Sequence, residues 1–239
     1  KGIDTELFYT KLATILSYLV IDCYEEDIIK HILLSDYFYF ENYEFDKIFS
    51  ICQENIYDDN EFSIINRQMI LFDIFYDYIS QNHSIILTGF INFRLSDYKI
   101  LLSKLIDFSV NEYIIEKEYL EFISLLKSYL KSQTPLVDKL HLVFLDHETL
   151  ILDNSLNIVK IDKNIAKPKY FSDITFSDND YILNTLINYI PKKIFIHLSV
   201  QNINCYEFIN TLKLIFENRV EICNECNICN LYKRFSSSL

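Results

Sequence analysis

Glycine is almost absent: Gly2 and Gly89 are the two in 239 residues. A phosphate-cradling P-loop, a GxGxxG dinucleotide turn and a GxSxG nucleophile elbow each need several glycines where a side chain would clash. None can be built here. Long apolar runs are also missing. Leu12 to Ile21 is the nearest to the roughly 18 residues a membrane span needs, and Thr14, Ser17 and Tyr18 interrupt it. It lies behind Asp4 and Glu6 rather than a basic leader, so it does not fit a signal peptide. The chain opens on Lys1, which we take as an internal start, and a cytoplasmic setting is expected.

Positive charge is scarce in one half. Residues 1–134 hold 11 Lys/Arg against 22 Asp/Glu, whereas residues 135–239 hold 11 against 12, within a formal total of −12. The acidic half repels phosphate, which disfavours nucleic acid and anionic membrane as partners. A basic face from Lys163, Lys167, Lys169, Lys192 and Lys193 would be the remaining route to nucleic acid. Half of the residues are hydrophobic and 15% aromatic, so a large core is expected. The 18 tyrosines and 19 phenylalanines point to that core and to contact with another protein or a second copy.

Helical periodicity dominates residues 1–134. Leu12, Ile15, Leu16, Leu19, Val20 and Cys23 form one stripe, and further helices are expected over 25–34, 43–56 and 61–81. Asp58-Asp59-Asn60 offers a start for the last of these, with Ile65, Met69, Phe72, Phe75, Tyr76 and Ile79 as its buried face. Gly89 is expected to break the pattern. A helix opening at Ser96 then carries Tyr98, Leu102, Leu105, Ile106, Ser109 and Tyr113. Another, over Glu116 to Lys131, carries Tyr119, Phe122, Ile123, Leu126, Tyr129 and Leu130. Pro135 ends it and sets the expected domain boundary, 1–134 against 135–239.

Beyond Pro135 the period shortens. Leu140–Leu145, Thr149–Leu152 and Asn157–Ile161 read as a β-meander. Ser177 with Asp180 signals a helix start, and Pro191 its end. Strand Ile194–Leu198, a helix started by Asn204 and Glu207, and strand Arg219–Ile222 make a βαβ unit. The expected fold class is therefore α+β: an all-helical domain, then a small α/β domain with a cysteine-rich tail.

That tail carries Cys223-x-x-Cys226-x-x-Cys229, three thiols at steps that allow turns around one tetrahedral ion. A ferredoxin run would want a cysteine at position 233, which is Lys233. Zinc is thus favoured over iron–sulfur. In a parallel βαβ unit, His197 and Cys205 fall on the same sheet edge as Cys223, and either could be the fourth ligand. The simpler alternative is a reduced tail with no ion.

Glu112 and Glu116 lie one helical turn apart, but no Glu-x-x-His accompanies them, so a solvated or structurally paired acidic face is expected. Arg94 could clasp a carboxylate or phosphate ligand, or pair with Glu112 or Glu116. His31, His83, His141, His147 and His197 form no HExxH pair and no recognisable nucleophile set. No catalytic residue can be named, and a non-enzymatic role is expected.

Gly89-Phe90-Ile91-Asn92-Phe93-Arg94-Leu95, Glu112-Tyr113, Glu116-Lys117-Glu118-Tyr119, Glu121-Phe122-Ile123 and Leu125-Leu126 resemble the YtxC-like sporulation proteins of endospore-forming Firmicutes. Ile215-Phe216, Arg219-Val220, Ile222-Cys223, Cys226 and Cys229 continue the resemblance. It is clear over about residues 85–230 and colinear, though weaker, before that. It implies a sporulation setting and supplies no reaction, substrate or cofactor. The expected function is a sporulation-associated interaction or scaffold protein. The alternative is a metal-binding protein with redox or hydrolytic activity at the C-terminal cysteines.

Overall fold

The computed structural model describes residues 5–57, 61–145, 148–160, 177–198, 203–223 and 226–230. Six helices come first: α1 (Thr5–Cys23), α2 (Glu25–Asp36), α3 (Asn42–Tyr57), α4 (Ile64–Gln81), α5 (Leu87–Arg94) and α6 (Ser96–Ser132). Then follow β1 (Val137–Phe144), β2 (Thr149–Leu152), α7 (Asp178–Tyr189), β3 (Pro191–Leu198), α8 (Ile203–Phe216) and β4 (Val220–Ile222). This is an α+β fold. It divides into two compact units, Lys1–Glu118 and Tyr119–Leu239. The division falls inside α6 rather than at Pro135, because Ile123 and Leu130 of its last turns are buried in the sheet's core. Pro135 marks only the change from helix to strand.

In the helical unit, two expected breaks are not made. Gly89 lies inside α5, where a Cβ would meet nothing nearer than Ile86 Cγ2 at 4.0 Å. One glycine costs a helix about 1 kcal/mol, and burial of Phe90 and Ile91 beside it outweighs that. The two helices expected over 96–131 are one helix of 37 residues, since neither glycine nor proline separates them. Its expected stripe holds over the first half: Tyr98, Leu102, Leu105, Ile106, Ser109 and Tyr113 are all buried. Further along, Tyr119, Phe122 and Tyr129 are exposed.

On α4 the buried face is the expected one at Phe75 and Ile79 and differs in the first turns. Ile65 and Met69 are 70% and 61% exposed, and Arg67, Leu71, Phe75 and Ile79 are buried at four-residue steps. Arg67 can go inside because Glu25 of α2 pairs with its guanidinium, while its Nε donates to the Phe62 carbonyl at 2.8 Å. Tyr98 of α6 donates its hydroxyl to the other Glu25 oxygen. Three helices thus meet on a buried charge pair, which a hydrophobic count cannot foresee. On α1, similarly, Ala13, Leu16, Ser17 and Val20 are buried while Ile15 is 62% exposed. The expected start at Asp58-Asp59-Asn60 lies outside the described residues.

The second unit carries one four-stranded sheet, in the order β2-β1-β3-β4. β1 pairs antiparallel with β2 and parallel with β3, and β4 lies parallel along β3. The β3–α8–β4 unit is as expected. The meander is not: its third run contributes only an isolated bridge between Ile158 and Leu152. β4 is also shorter than expected, because Glu217–Arg219 forms a 3-10 turn. Ser177 and Asp180 complete a reciprocal capping box at α7. Ile190 closes that helix in a left-handed conformation, φ 43°, before Pro191 opens β3.

Alternation along the strands gives the sheet two unlike faces. Leu140, Leu142, Phe144, Ile194 and Ile196 lie on one face, buried in a core that includes Leu186 of α7 and Leu212 of α8. Lys139, His141, Phe195 and His197 occupy the other. Among the described residues no single helix is long and apolar enough to cross a membrane. α1 and α2 reach that length and apolarity only as a pair bent by 52°.

Candidate metal centre

His197 is the next-to-last residue of β3, and Cys223 directly follows β4. The two strands are parallel, so both residues emerge at the same carboxyl edge. The Cys223 N–H donates to the Ile196 carbonyl at 2.8 Å, which prolongs the strand pairing into the first thiol. The chain then turns back, with the Asn230 N–H donating to the Cys226 carbonyl at 3.0 Å. A helical turn over 227–230 brings Cys226 and Cys229 together.

The result is a cluster of four ligand atoms. His197 Nδ1 and the sulfurs of Cys223, Cys226 and Cys229 all lie within 4.8 Å of one another. His197 Nδ1 is 3.4 Å from both Cys226 Sγ and Cys229 Sγ, and those sulfurs are 3.8 Å apart. An ion with bonds of about 2.3 Å to sulfur and about 2.0 Å to nitrogen spaces its tetrahedral ligands about 3.8 Å (S to S) and about 3.5 Å (S to N). These edges fit one ion. A multi-iron cluster would hold its ligands further apart by the width of its own body, so the donors fit zinc better than iron–sulfur. His197 and Cys229 are buried, at 2% and 3% exposure, and Cys223 and Cys226 half-buried.

Protonation follows from this crowding. Burial, then the neighbouring sulfurs of Cys226 and Cys229, push the Cys223 thiol up to about 12. Burial acts on Cys226 in the same direction. There it is outweighed by the backbone N–H groups of Cys229 and Ile228 and the Cys223 thiol, which hold Cys226 below the usual thiol value. Burial and the adjacent His141 lower His197 to about 4, so its imidazole is neutral at physiological pH. A neutral imidazole beside three thiols that can give up their protons to an incoming ion is a receptive donor set for a divalent cation.

Of the two residues expected as a fourth ligand, His197 joins the cluster and Cys205 does not. Cys205 stands in the first turn of α8, where it packs against the apolar cluster beneath the sheet. Sequence reasoning found no role for His141, whose Nδ1 lies 3.0 Å from His197 Nε2. Its place two residues diagonally across β1 and β3 is a matter of register, which periodicity does not reveal.

The carboxylate and arginine candidates go elsewhere. Glu112 is exposed and accepts from Asn55 Nδ2 at 2.7 Å, and Glu116 is exposed. Arg94 sets its guanidinium 5.8 Å from the centroid of the Tyr78 ring, and no ion pair joins it to Glu112 or Glu116 among the described residues. Lys117 pairs instead with Glu44 at 2.9 Å. His147, Lys163, Lys167 and Lys169 lie outside the described residues.

No curated protein and no solved structure matches this chain. A family model described as the YtxC-like family matches residues 10–221, ending before the three tail cysteines, so that His197 is the single donor inside the match. With nearly nine-tenths of its length covered, the chain belongs to the YtxC-like family.

Proposed function

We propose that this protein is a non-enzymatic, sporulation-associated scaffold whose C-terminal unit is closed by one structural zinc ion. The observation that carries the zinc reading is the set of 3.4, 3.4 and 3.8 Å separations among His197, Cys226 and Cys229, with Cys223 completing the group. Four protein donors fill a tetrahedral ion, and a filled shell leaves no position for water or substrate. A hydrolytic centre would need that open position, and zinc has no redox chemistry of its own, so a structural role is favoured.

The local architecture gives such an ion work to do. β4 is a three-residue edge strand, shorter than most, and its pairing reaches only Ile194, Phe195 and Ile196. An ion held by β3, the end of β4 and the turn beyond it would fasten this edge. The sporulation setting and a protein partner, or a second copy, rest on the family resemblance and on exposed rings such as Phe38 and Phe93, at 77% and 84% exposure.

Elemental analysis of untagged protein tests the zinc reading. One zinc per chain is expected, lost in Cys226→Ser and retained in Cys205→Ser. Wild-type protein that stays metal-free after incubation with zinc would overturn it.

A further inference from the structure

We infer that His141 is a positioning residue for the ion: it holds the His197 ring in the tautomer and orientation that present Nδ1 to the three sulfurs. The inference rests on the zinc reading above and goes beyond it, because His141 itself touches none of the sulfurs.

A ring that gives Nδ1 to a metal must carry its proton on Nε2, and a buried N–H requires an acceptor. His197 is buried, and the group opposite its Nε2 is His141 Nδ1, at 3.0 Å. When Nδ1 of His197 binds the ion, the Nε2–H of His197 donates to His141. His141 then carries its own proton on Nε2 and stays neutral. Without the ion the same pair can run the other way, His141 Nδ1–H donating to His197 Nε2 while His197 Nδ1–H faces the sulfurs. Ion binding would therefore fix the direction of this hydrogen bond.

His141 is built to hold still. It stands on β1 directly across from Phe195, and the two rings stack with centroids 5.4 Å apart and planes inclined by 22°. Its ring also stacks obliquely with that of His197, at 5.2 Å and 27°. Phe195 and His197 are two residues apart on β3 and so share a face. The central parallel strands therefore fix both imidazoles, and the shape of this outer contact does not depend on the tail that carries the cysteines.

Two measurements decide the matter. Zinc affinity, read by competition with a chromophoric chelator, should fall about 10–100-fold in His141→Phe. It should recover towards wild type in His141→Asn, whose side-chain oxygen can take the place of Nδ1. In zinc-loaded wild-type protein, nitrogen NMR of the imidazoles should show His197 protonated at Nε2 and His141 unprotonated at Nδ1. Unchanged affinity in His141→Phe, or a His197 ring bound through Nε2, would overturn the role of His141 and leave the zinc site standing. Wild-type protein that takes up no zinc would overturn both. The NMR readout uses the native chain, so it decides even if His141→Phe fails to fold.

Discussion

The Cys223 N–H donates to the Ile196 carbonyl at 2.8 Å, one residue before His197. A backbone bond of the β3–β4 ladder therefore sets the spacing between the first thiol and the imidazole. The two donors are brought together by strand register, and only the remaining two depend on the turn that follows.

Zinc loading should release protons and weaken in acid. In the metal-free cluster the Cys223 thiol stands near 12 and is protonated at pH 7, so binding must expel at least that proton. Proton release, followed with an indicator dye in weak buffer, should accompany zinc uptake at pH 7. Affinity should drop steadily as pH is lowered. His197 contributes little to that slope above pH 6.5, because its lowered value, about 4, leaves it neutral there. A pH-independent affinity would contradict the thiolate donor set.

The buried charge pair in the helical unit should be expensive to break. Arg67→Ala leaves Glu25 buried with a single hydroxyl partner, and removing one member of such a pair costs about 3–5 kcal/mol. Tyr98→Phe removes a hydrogen bond to a charged oxygen, at a cost of about 1.5–3 kcal/mol. Urea unfolding monitored by circular dichroism measures both. Burial and the neighbouring Glu25 raise the Tyr98 hydroxyl well above the usual tyrosine range, so it remains a donor through the neutral and alkaline range.

Glu44 should shape the acid limb of stability. The Glu41 N–H, the Lys117 ammonium and the Tyr113 hydroxyl hold its carboxyl down at about 2, against an ordinary 4.5. A carboxylate depressed in the folded state stabilises above its unfolded value and loses that contribution as pH falls towards 2. Stability of the wild type should therefore decline between pH 4.5 and pH 2 more steeply than that of Glu44→Gln. Urea midpoints across that window provide the comparison.

Local signals were legible in the sequence wherever one face of one element decided the matter. The stripe from Tyr98 to Tyr113 and the Ser177–Asp180 capping box are such cases. Failures came where a residue's position depended on a distant partner. Arg67 on the buried face of α4 contradicts every hydrophobicity rule until Glu25 and Tyr98 are placed beside it. Gly89 lies within α5 although its own propensity opposes helix, because burial of Phe90 and Ile91 holds the element together.

For the candidate centre, the spacing of Cys223, Cys226 and Cys229 marks three candidate donors, although the place of Cys223 beside His197 rests on the β3–β4 register. The fourth was decided by tertiary structure. His197 and Cys205 were equal on topology, yet β3 presents His197 on the face opposite the apolar core, while α8 packs Cys205 against that core. The same register set His141 behind His197, at a separation of 56 residues along the chain. Spacing within a turn is a local property that the sequence determines; which strand lies beside which is a property of the assembled sheet.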